Sequence, residues 1–287
     1  MEALCRHAHP STSFSVKGQD LTRHLLSLAH SHPARLTARG AKQSRRIAEE
    51  ATSHQAADDD EESLAEGFDS IESALEALSR GQMIVVLDDE KRENEGDLIM
   101  AADKVTPADV EFLRKHTSGY ICVGMEGAAL DRLELPLMVS SAENDEAMYT
   151  AFTVTVDARE GISTGISAED RSRTLRLLAD PAAAAADFRR PGHINPLRSQ
   201  PGGVLTRPGH TEAAVDMCRL AGCQPAGALC EIVNPEDGSM SRTPQLLEFA
   251  ARHGLRCVTI AELVRYRLQH DGYQAQASSN GNGAARQ

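Results

Sequence analysis

The chain has 287 residues, is 41% hydrophobic and carries a net charge of −12, which is enough apolar material for one large domain or two small ones. No run approaches the ~20 consecutive apolar residues that a membrane span needs. The acidic balance argues against nucleic acid as the main partner, because phosphate backbones demand a basic surface.

Charge is unevenly spread. Residues 1–48 hold eight Lys/Arg against only Glu2 and Asp20 and are rich in Ser, Ala and His, the composition of an organelle transit peptide. A plain disordered tail is the alternative. Residues 49–69 hold nine Asp/Glu and no Lys/Arg, as a solvated acidic linker would. Residues 1–66 are therefore expected to be an appendage, 67–269 one compact unit, and the polar stretch 270–287 a disordered tail.

The compact unit opens with a helix that Asp69 caps with Glu72 three residues on. Ile71, Ala74, Leu75 and Leu78 share one face and Gly81 ends it. Residues 83–88 (MIVVLD) read as a buried strand. Thr106-Pro107 opens a second helix. Residues 120–125 (YICVGM) are strand-like. Residues 151–157 alternate Phe152, Val154 and Val156 with Thr153 and Thr155, predicting a half-buried strand. Ser167 caps a helix to about Ala179. Thr211 starts another that ends at Gly222. Residues 228–233 (ALCEIV) form a strand leaving by the turn NPEDG. Thr243-Pro244 opens a helix ending at Gly254, then comes the strand LRCVTI and a short helix. Helices alternating with strands imply a layered α/β sheet covered by helices.

Three clusters carry chemistry. Asp88–Asp97 packs six carboxylates (Asp88, Asp89, Glu90, Glu93, Glu95, Asp97) around Lys91 and Arg92, directly after a buried strand. Such density costs repulsion unless a cation offsets it, and hard oxygens suit Mg²⁺. A charged surface loop is the bland alternative. Second, Pro-Gly-His occurs twice, ending at His193 and His210, each preceded by Arg (Arg190, Arg207). Both read as loops in which Gly192 and Gly209 let backbone approach a ligand. His210 and Thr211 fall where a helix begins, a natural phosphate seat, and Arg207 adds a bidentate contact. Third, Glu231 lies within an apolar strand, where burial would raise its pKa and suit proton transfer. An outward-facing strand residue is the alternative. Cys122 reads as a reactive thiol or, by default, a small buried hydrophobe. Thr164 belongs to GISTGISAEDR, where Gly and small hydroxyls precede a helix. The six cysteines (Cys5, Cys122, Cys218, Cys223, Cys230, Cys257) contain no CxxC pair and read as reduced thiols.

Together VVLDDEKRENEGDLIMAA, TAFTVTVDA, TGISAEDR, RPGHINPLR, GGVLTRPGHTEAAVDM, GALCEIV, DGSMSR and VTIAELVRYR resemble the 3,4-dihydroxy-2-butanone 4-phosphate synthase family across nearly all of 67–269. The resemblance implies a three-layer α/β sandwich with a central mixed sheet flanked by helices. It also implies a homodimer with sites near the subunit interface, and a lyase that converts ribulose 5-phosphate to 3,4-dihydroxy-2-butanone 4-phosphate and formate through a metal-stabilised enediolate. Glu93 and His210 become the ligands of Mg²⁺ (Mn²⁺ the alternative ion), with two ions per site. Arg92, Asp97, Arg207, Thr211, Thr164, Cys122 and Glu231 become substrate contacts. His193, Glu231 and Glu95 become the acids and bases. Lys91, Thr117 and Pro208 depart from the usual pattern without removing a catalytic group.

Many members are fused to a GTP cyclohydrolase II domain. No zinc-type cysteine trio comes after the synthase-like region, so a single activity, or a piece of a longer protein, is expected. By resemblance to plant and algal members the address is the plastid. A rival reading is a nucleotide- or RNA-binding module of similar fold. The acidic balance and the intact RENEGD and GHTE segments oppose it.

Overall fold

A computed structural model of the chain describes residues 67–280, with side chains through Asp271. The transit-peptide and linker expectations for 1–66 lie outside the described residues, as does the end of the expected tail. Helix α1 (Ile71–Ser79) buries Ile71, Ala74, Leu75 and Leu78. Its cap is Ser70, whose side chain accepts from the Ser73 N–H. Asp69, the expected cap, instead accepts from the Cys257 N–H and from Arg256, pinning the helix start to the last strand.

The strands are β1 (Ile84–Leu87), β2 (Gly96–Ala101), β3 (Cys122–Met125), β4 (Val156–Ala158), β5 (Phe188–Arg198), β6 (Ala226–Glu231) and β7 (Arg256–Thr259). They form one mixed sheet in the order β4-β5-β3-β6-β2-β1-β7. β1–β7 and β3–β5 are parallel and the other pairs antiparallel. The helices after α1 are α2 (Pro107–His116), α3 (Gly127–Arg132), α4 (Ala168–Ala179), α5 (His210–Leu220), α6 (Thr243–His253) and α7 (Ile260–Asn280). Thr106 and Asp109 form a full capping box on α2, Ser167 caps α4, and Gly254 ends α6 in the left-handed region.

Alternation along the strands sorts the two faces. Val85, Leu87, Leu98, Met100, Val123, Met125, Ala228 and Cys230 point into one core, covered by Val110 and Leu113 of α2, Leu130 of α3, Leu175 and Leu178 of α4 and Leu246 of α6. The opposite face is covered by α5, with α1 and α7 beside it. Gly124 and Gly227 stand opposite each other on β3 and β6. A Cβ on Gly124 would come within 2.7 Å of the Thr211 carbonyl oxygen, and one on Gly227 within 2.8 Å of Ala214. This glycine pair lets α5 settle directly on the sheet.

Several expected elements differ. β2 is legible only as the tail of a charged loop, because six buried residues in succession carry no alternation. The 151–157 alternation does not make a strand. Only Val156 and Asp157 enter one, and Thr153 is buried while Phe152 and Val154 are half-buried. Thr153 is drawn inward because its N–H and hydroxyl both donate to the Pro196 carbonyl. The first Pro-Gly-His is not a loop but part of β5. The last helix, expected to be short, runs 21 residues. The five described cysteines are free.

Candidate metal and substrate site

The acidic segment leaves β1 at Asp88 and returns as β2 at Gly96, so a tight loop carries Arg92, Glu93 and Glu95. Asp88 shapes it. Its buried carboxylate accepts from the Glu93 N–H at 2.9 Å, the Glu95 N–H at 2.8 Å and the Arg92 guanidinium at 2.9 Å. Asn94 turns through φ +53°. From outside the loop, Arg242 at the start of α6 donates to the carbonyls of Glu93, at 3.0 Å, and Asn94. Sequence reasoning assigns no such shaping role to Asp88 or Arg242. Both carry their information in main-chain bonds, which residue type does not reveal.

Across from this loop stands His210, the first residue of α5, buried and with Nε2 3.2 Å from the Val86 carbonyl oxygen. A neutral ring bonded this way carries its proton on Nε2 and leaves the Nδ1 lone pair for another partner. Nδ1 lies 3.7 Å from Glu93 Oε2 and 4.0 Å from Asp97 Oδ1. Asp88, Glu93 and His210 each offer a ligand atom within 4.8 Å of the others. Asp88 is occupied by its three donors, whereas Glu93, which pairs with Arg92, and His210 face each other across the gap.

The protonation energetics describe the same pocket. Burial raises the Glu93 carboxyl, but His210 and Arg92 outweigh it and bring its pKa down to about 2. Burial opposes the His210 cation, yet Asp97, Glu93 and Asp88 hold its pKa up at about 9. Asp97 is pushed up to about 7 by burial and by Glu231, Glu93 and Glu95, against His210. Glu95 is raised by burial, Glu93 and Glu231. Asp97 Oδ1 is buried without a hydrogen-bond partner, and an orphan of this kind calls for an explanation such as an ion. A carboxylate, an imidazole lone pair and an orphaned carboxylate oxygen suit a hard divalent cation with open positions, so the residues fit Mg²⁺.

Asp97 and Glu231 are directly opposed on β2 and β6, so both project from the α5 face. Glu231 is half-buried and accepts from the Ser118 hydroxyl at 2.7 Å. Cys122 lies on the same face, but burial and Glu231 push its thiol well above the usual range. That suits a packed thiol rather than a reactive one.

The second basic group sits at the α5 N-terminus. The guanidiniums of Arg207 and Arg92 both lie against Gly209, the N-cap of α5. Arg207 is aimed by Glu212 at 2.6 Å and by the Thr150 hydroxyl at 3.1 Å. Thr211 is buried in the first turn. Two guanidiniums over the positive end of a helix suit a phosphate group.

His193 stands apart. Counted across β6, β3 and β5, it is roughly 10 Å from Glu231 at about 4.8 Å per strand. Its Nδ1 lies 2.7 Å from Asp157 Oδ2, and its N–H donates to Asp157 Oδ1 at 2.9 Å. The ring is 41% exposed. Gly165, at φ +102°, lies beneath both Asp157 and His193, so any side chain there would strike them. Thr164 is the exposed neighbour of that glycine. The structure thus gathers Glu93, His210, Asp97, Glu95, Glu231, Arg92, Arg207 and Thr211 around the ends of the central strands β1, β2 and β6, with His193 and Thr164 beyond them, His193 two strands away on the same face. Asp157 is visible in TAFTVTVDA, but only the fold pairs it with His193.

A mixed sheet between helix layers, with a carboxylate–imidazole cluster beside two guanidiniums at a helix N-terminus, defines an α/β protein with a candidate metal site. Comparison with known proteins is specific. The 3,4-dihydroxy-2-butanone 4-phosphate synthase family model matches residues 72–266, and the chain belongs to that family. It is 55% identical over 218 residues to a probable bifunctional riboflavin biosynthesis protein, RIBA 1, chloroplastic, of Oryza sativa subsp. japonica, covering 75% of this chain and 40% of that protein. It is 57% identical over 205 residues to the riboflavin biosynthesis protein RibBA of Mycobacterium marinum, covering 71% and 48%. The chain therefore spans less than half the length of these curated relatives. A crystal structure of 3,4-dihydroxy-2-butanone 4-phosphate synthase in complex with two magnesium ions superposes with a TM-score of 0.69 at 42% identity, covering 71% of this chain and 99% of that one. The Candida albicans synthase gives 0.64 at 48% identity, covering 69% and 97%.

Proposed function

We propose that this chain converts D-ribulose 5-phosphate to L-3,4-dihydroxy-2-butanone 4-phosphate and formate, as a Mg²⁺-dependent lyase of riboflavin biosynthesis. The observation that carries the reading is the convergence of Glu93 Oε2, His210 Nδ1 and the unpartnered Asp97 Oδ1 next to the Arg92–Arg207 pair at the head of α5. Glu93 and His210 hold the metal, with two ions per site and Mn²⁺ as a substitute. When bound, the metal supplies Lewis-acid polarisation of the ketose oxygens.

The chain's own residues do the rest. Arg207, Arg92 and the α5 N-terminus, with Thr211, fix the phosphate. Asp97 accepts from a substrate hydroxyl. Glu95 and Glu231, whose neighbours are carboxylates, take and return protons at the carbon skeleton. Asp157 orients His193 for a third proton transfer, and Thr164 and Cys122 line the substrate. Atoms balance: five carbons leave as four plus one, with formate as the released carbon.

The catalytic unit is 67–269, and it works as a homodimer with its sites near the interface. The exposed side chains of Tyr120, before β3, and Ile166, beside the His193 cluster, support this reading. Residues 1–66 direct the protein to the plastid, in keeping with the chloroplastic rice relative. No described helix is long and apolar enough to cross a membrane.

The test is formate release from ribulose 5-phosphate with Mg²⁺, abolished by EDTA and restored by Mg²⁺ or Mn²⁺. A chain that binds the sugar phosphate without releasing formate would end the lyase reading. Residues 1–66 fused to a fluorescent reporter test the address.

A further inference from the structure

Away from this site, the C-terminal ends of α2 and α6 meet. His116 is the last residue of α2 and His253 the last of α6. Their ring centroids are 4.9 Å apart with an interplanar angle of 60°. Phe112 and Phe249 pack around them, with Phe112 edge-on to His253 at 5.2 Å and Phe249 edge-on to His116 at 5.7 Å. Both imidazoles are half-buried. Among the described residues neither ring nitrogen pair has a hydrogen-bond partner, unlike His193, His210 and His270, which all do. With no protein partner, the ring nitrogens are open to solvent and to a ligand that reaches both rings from it.

We propose that His116 and His253 form a binding site for a borderline first-row divalent ion of the Zn²⁺, Ni²⁺ or Cu²⁺ class, bridging the ends of α2 and α6, with water completing the coordination.

The spacing fits. An ion bound by imidazole nitrogen at about 2.1 Å lies about 3.2 Å from the ring centroid, so two rings sharing one tetrahedral ion have centroids roughly 5 Å apart. The field fits as well: both rings sit at helix C-termini, whose partial negative charge favours a cation. Burial and the neighbouring His253 and Lys115 lower the pKa of His116, which keeps it in the neutral form that ligates. The alternative, an aromatic cluster with no ligand, satisfies packing and leaves the ring nitrogens to water. Imidazole pairs select these ions over Mg²⁺, which prefers oxygen donors, so the site is distinct in chemistry from the Glu93–His210 centre. An ion here would tie α6, whose Arg242 holds the Glu93 loop, to α2, which leads into Ser118 and its bond to Glu231.

The experiment uses the full chain with Mg²⁺ saturating and monitors thermal unfolding during titration with ZnCl₂ and, separately, NiCl₂. An ion that binds only the folded state raises the unfolding temperature. The expected result is a rise that saturates at submillimolar ion, is lost in His116→Gln and in His253→Phe, and persists in His270→Gln. His253→Phe keeps the ring packing, so an unchanged unfolding temperature in the absence of Zn²⁺ shows that the fold is intact. An equal rise in His116→Gln and His253→Phe, or no rise in the parent chain up to millimolar ion, overturns the proposal.

Discussion

The tetrapeptide Arg-Pro-Gly-His occurs at 190–193 and again at 207–210, and the two copies meet opposite fates. The first lies within β5, with His193 exposed and held by Asp157. The second ends at the first residue of α5, with His210 buried against Glu93 and Asp97. The residues immediately after each copy decide its backbone. Asn195-Pro196-Leu197-Arg198 pairs in parallel with β3, whereas Thr211-Glu212-Ala213-Ala214 favours a helix. The glycines serve the same general purpose with different neighbours: Gly192 lies against the β4 backbone at Val156 and Asp157, while Gly209 lies against the guanidiniums of Arg207 and Arg92. Identical local sequence thus places one imidazole at the surface against a single carboxylate and the other in a buried gap between two.

Substituting the two histidines is the sharpest way to break this contrast. His193→Asn should lower turnover by roughly 10²–10⁴-fold while calorimetric Mg²⁺ affinity stays at the parent value. His210→Asn should instead weaken Mg²⁺ binding itself, by about 100-fold. Identical effects of the two on metal affinity would erase the distinction.

Proton competition sharpens it further. With His210 raised from 6.5 to about 9 and Asp97 from 3.8 to about 7, protons and the metal contend for the same atoms, so apparent Mg²⁺ affinity should climb by tens of fold between pH 7 and 9. Binding at pH 8 should release close to one proton, measurable in buffers of different ionisation enthalpy. The sign for stability is opposite. In metal-free protein the raised His210 pKa contributes stability that is complete below pH 6.5 and lost as pH rises through 9, so the metal-free unfolding temperature should fall over that range.

The glycines come next. Gly192→Ala drives a methyl into main chain that cannot move aside and should cost about 1–3 kcal/mol in denaturant unfolding. Gly209→Ala meets only flexible guanidinium ends, so it should unfold near the parent value yet raise the KM for the sugar phosphate. The smallest effect concerns the loop latch. Arg242→Gln removes the donors to Glu93 and Asn94 and should weaken Mg²⁺ binding about tenfold, with partial recovery in Arg242→Lys and little change in unfolding temperature.

By itself the sequence determined the element types wherever capping and periodicity were strong: α1 by its apolar spacing, α2 by Thr106-Pro107, α4 by Ser167 and the end of α6 by Gly254. It also singled out RENEGD and GHTE, the two segments whose Glu93 and His210 the fold brings within 3.7 Å. Tertiary structure alone decided the rest. β2 is buried on both faces, which erases the alternation that would reveal it. Thr153 turns inward because the Pro196 carbonyl, 43 residues away, takes both its donors. Asp157 meets His193, and Asp88 and Arg242 shape the Glu93 loop, through bonds that link distant segments or use the main chain. Neither kind of bond leaves a mark in local residue spacing, since each depends on which strands lie side by side in the sheet.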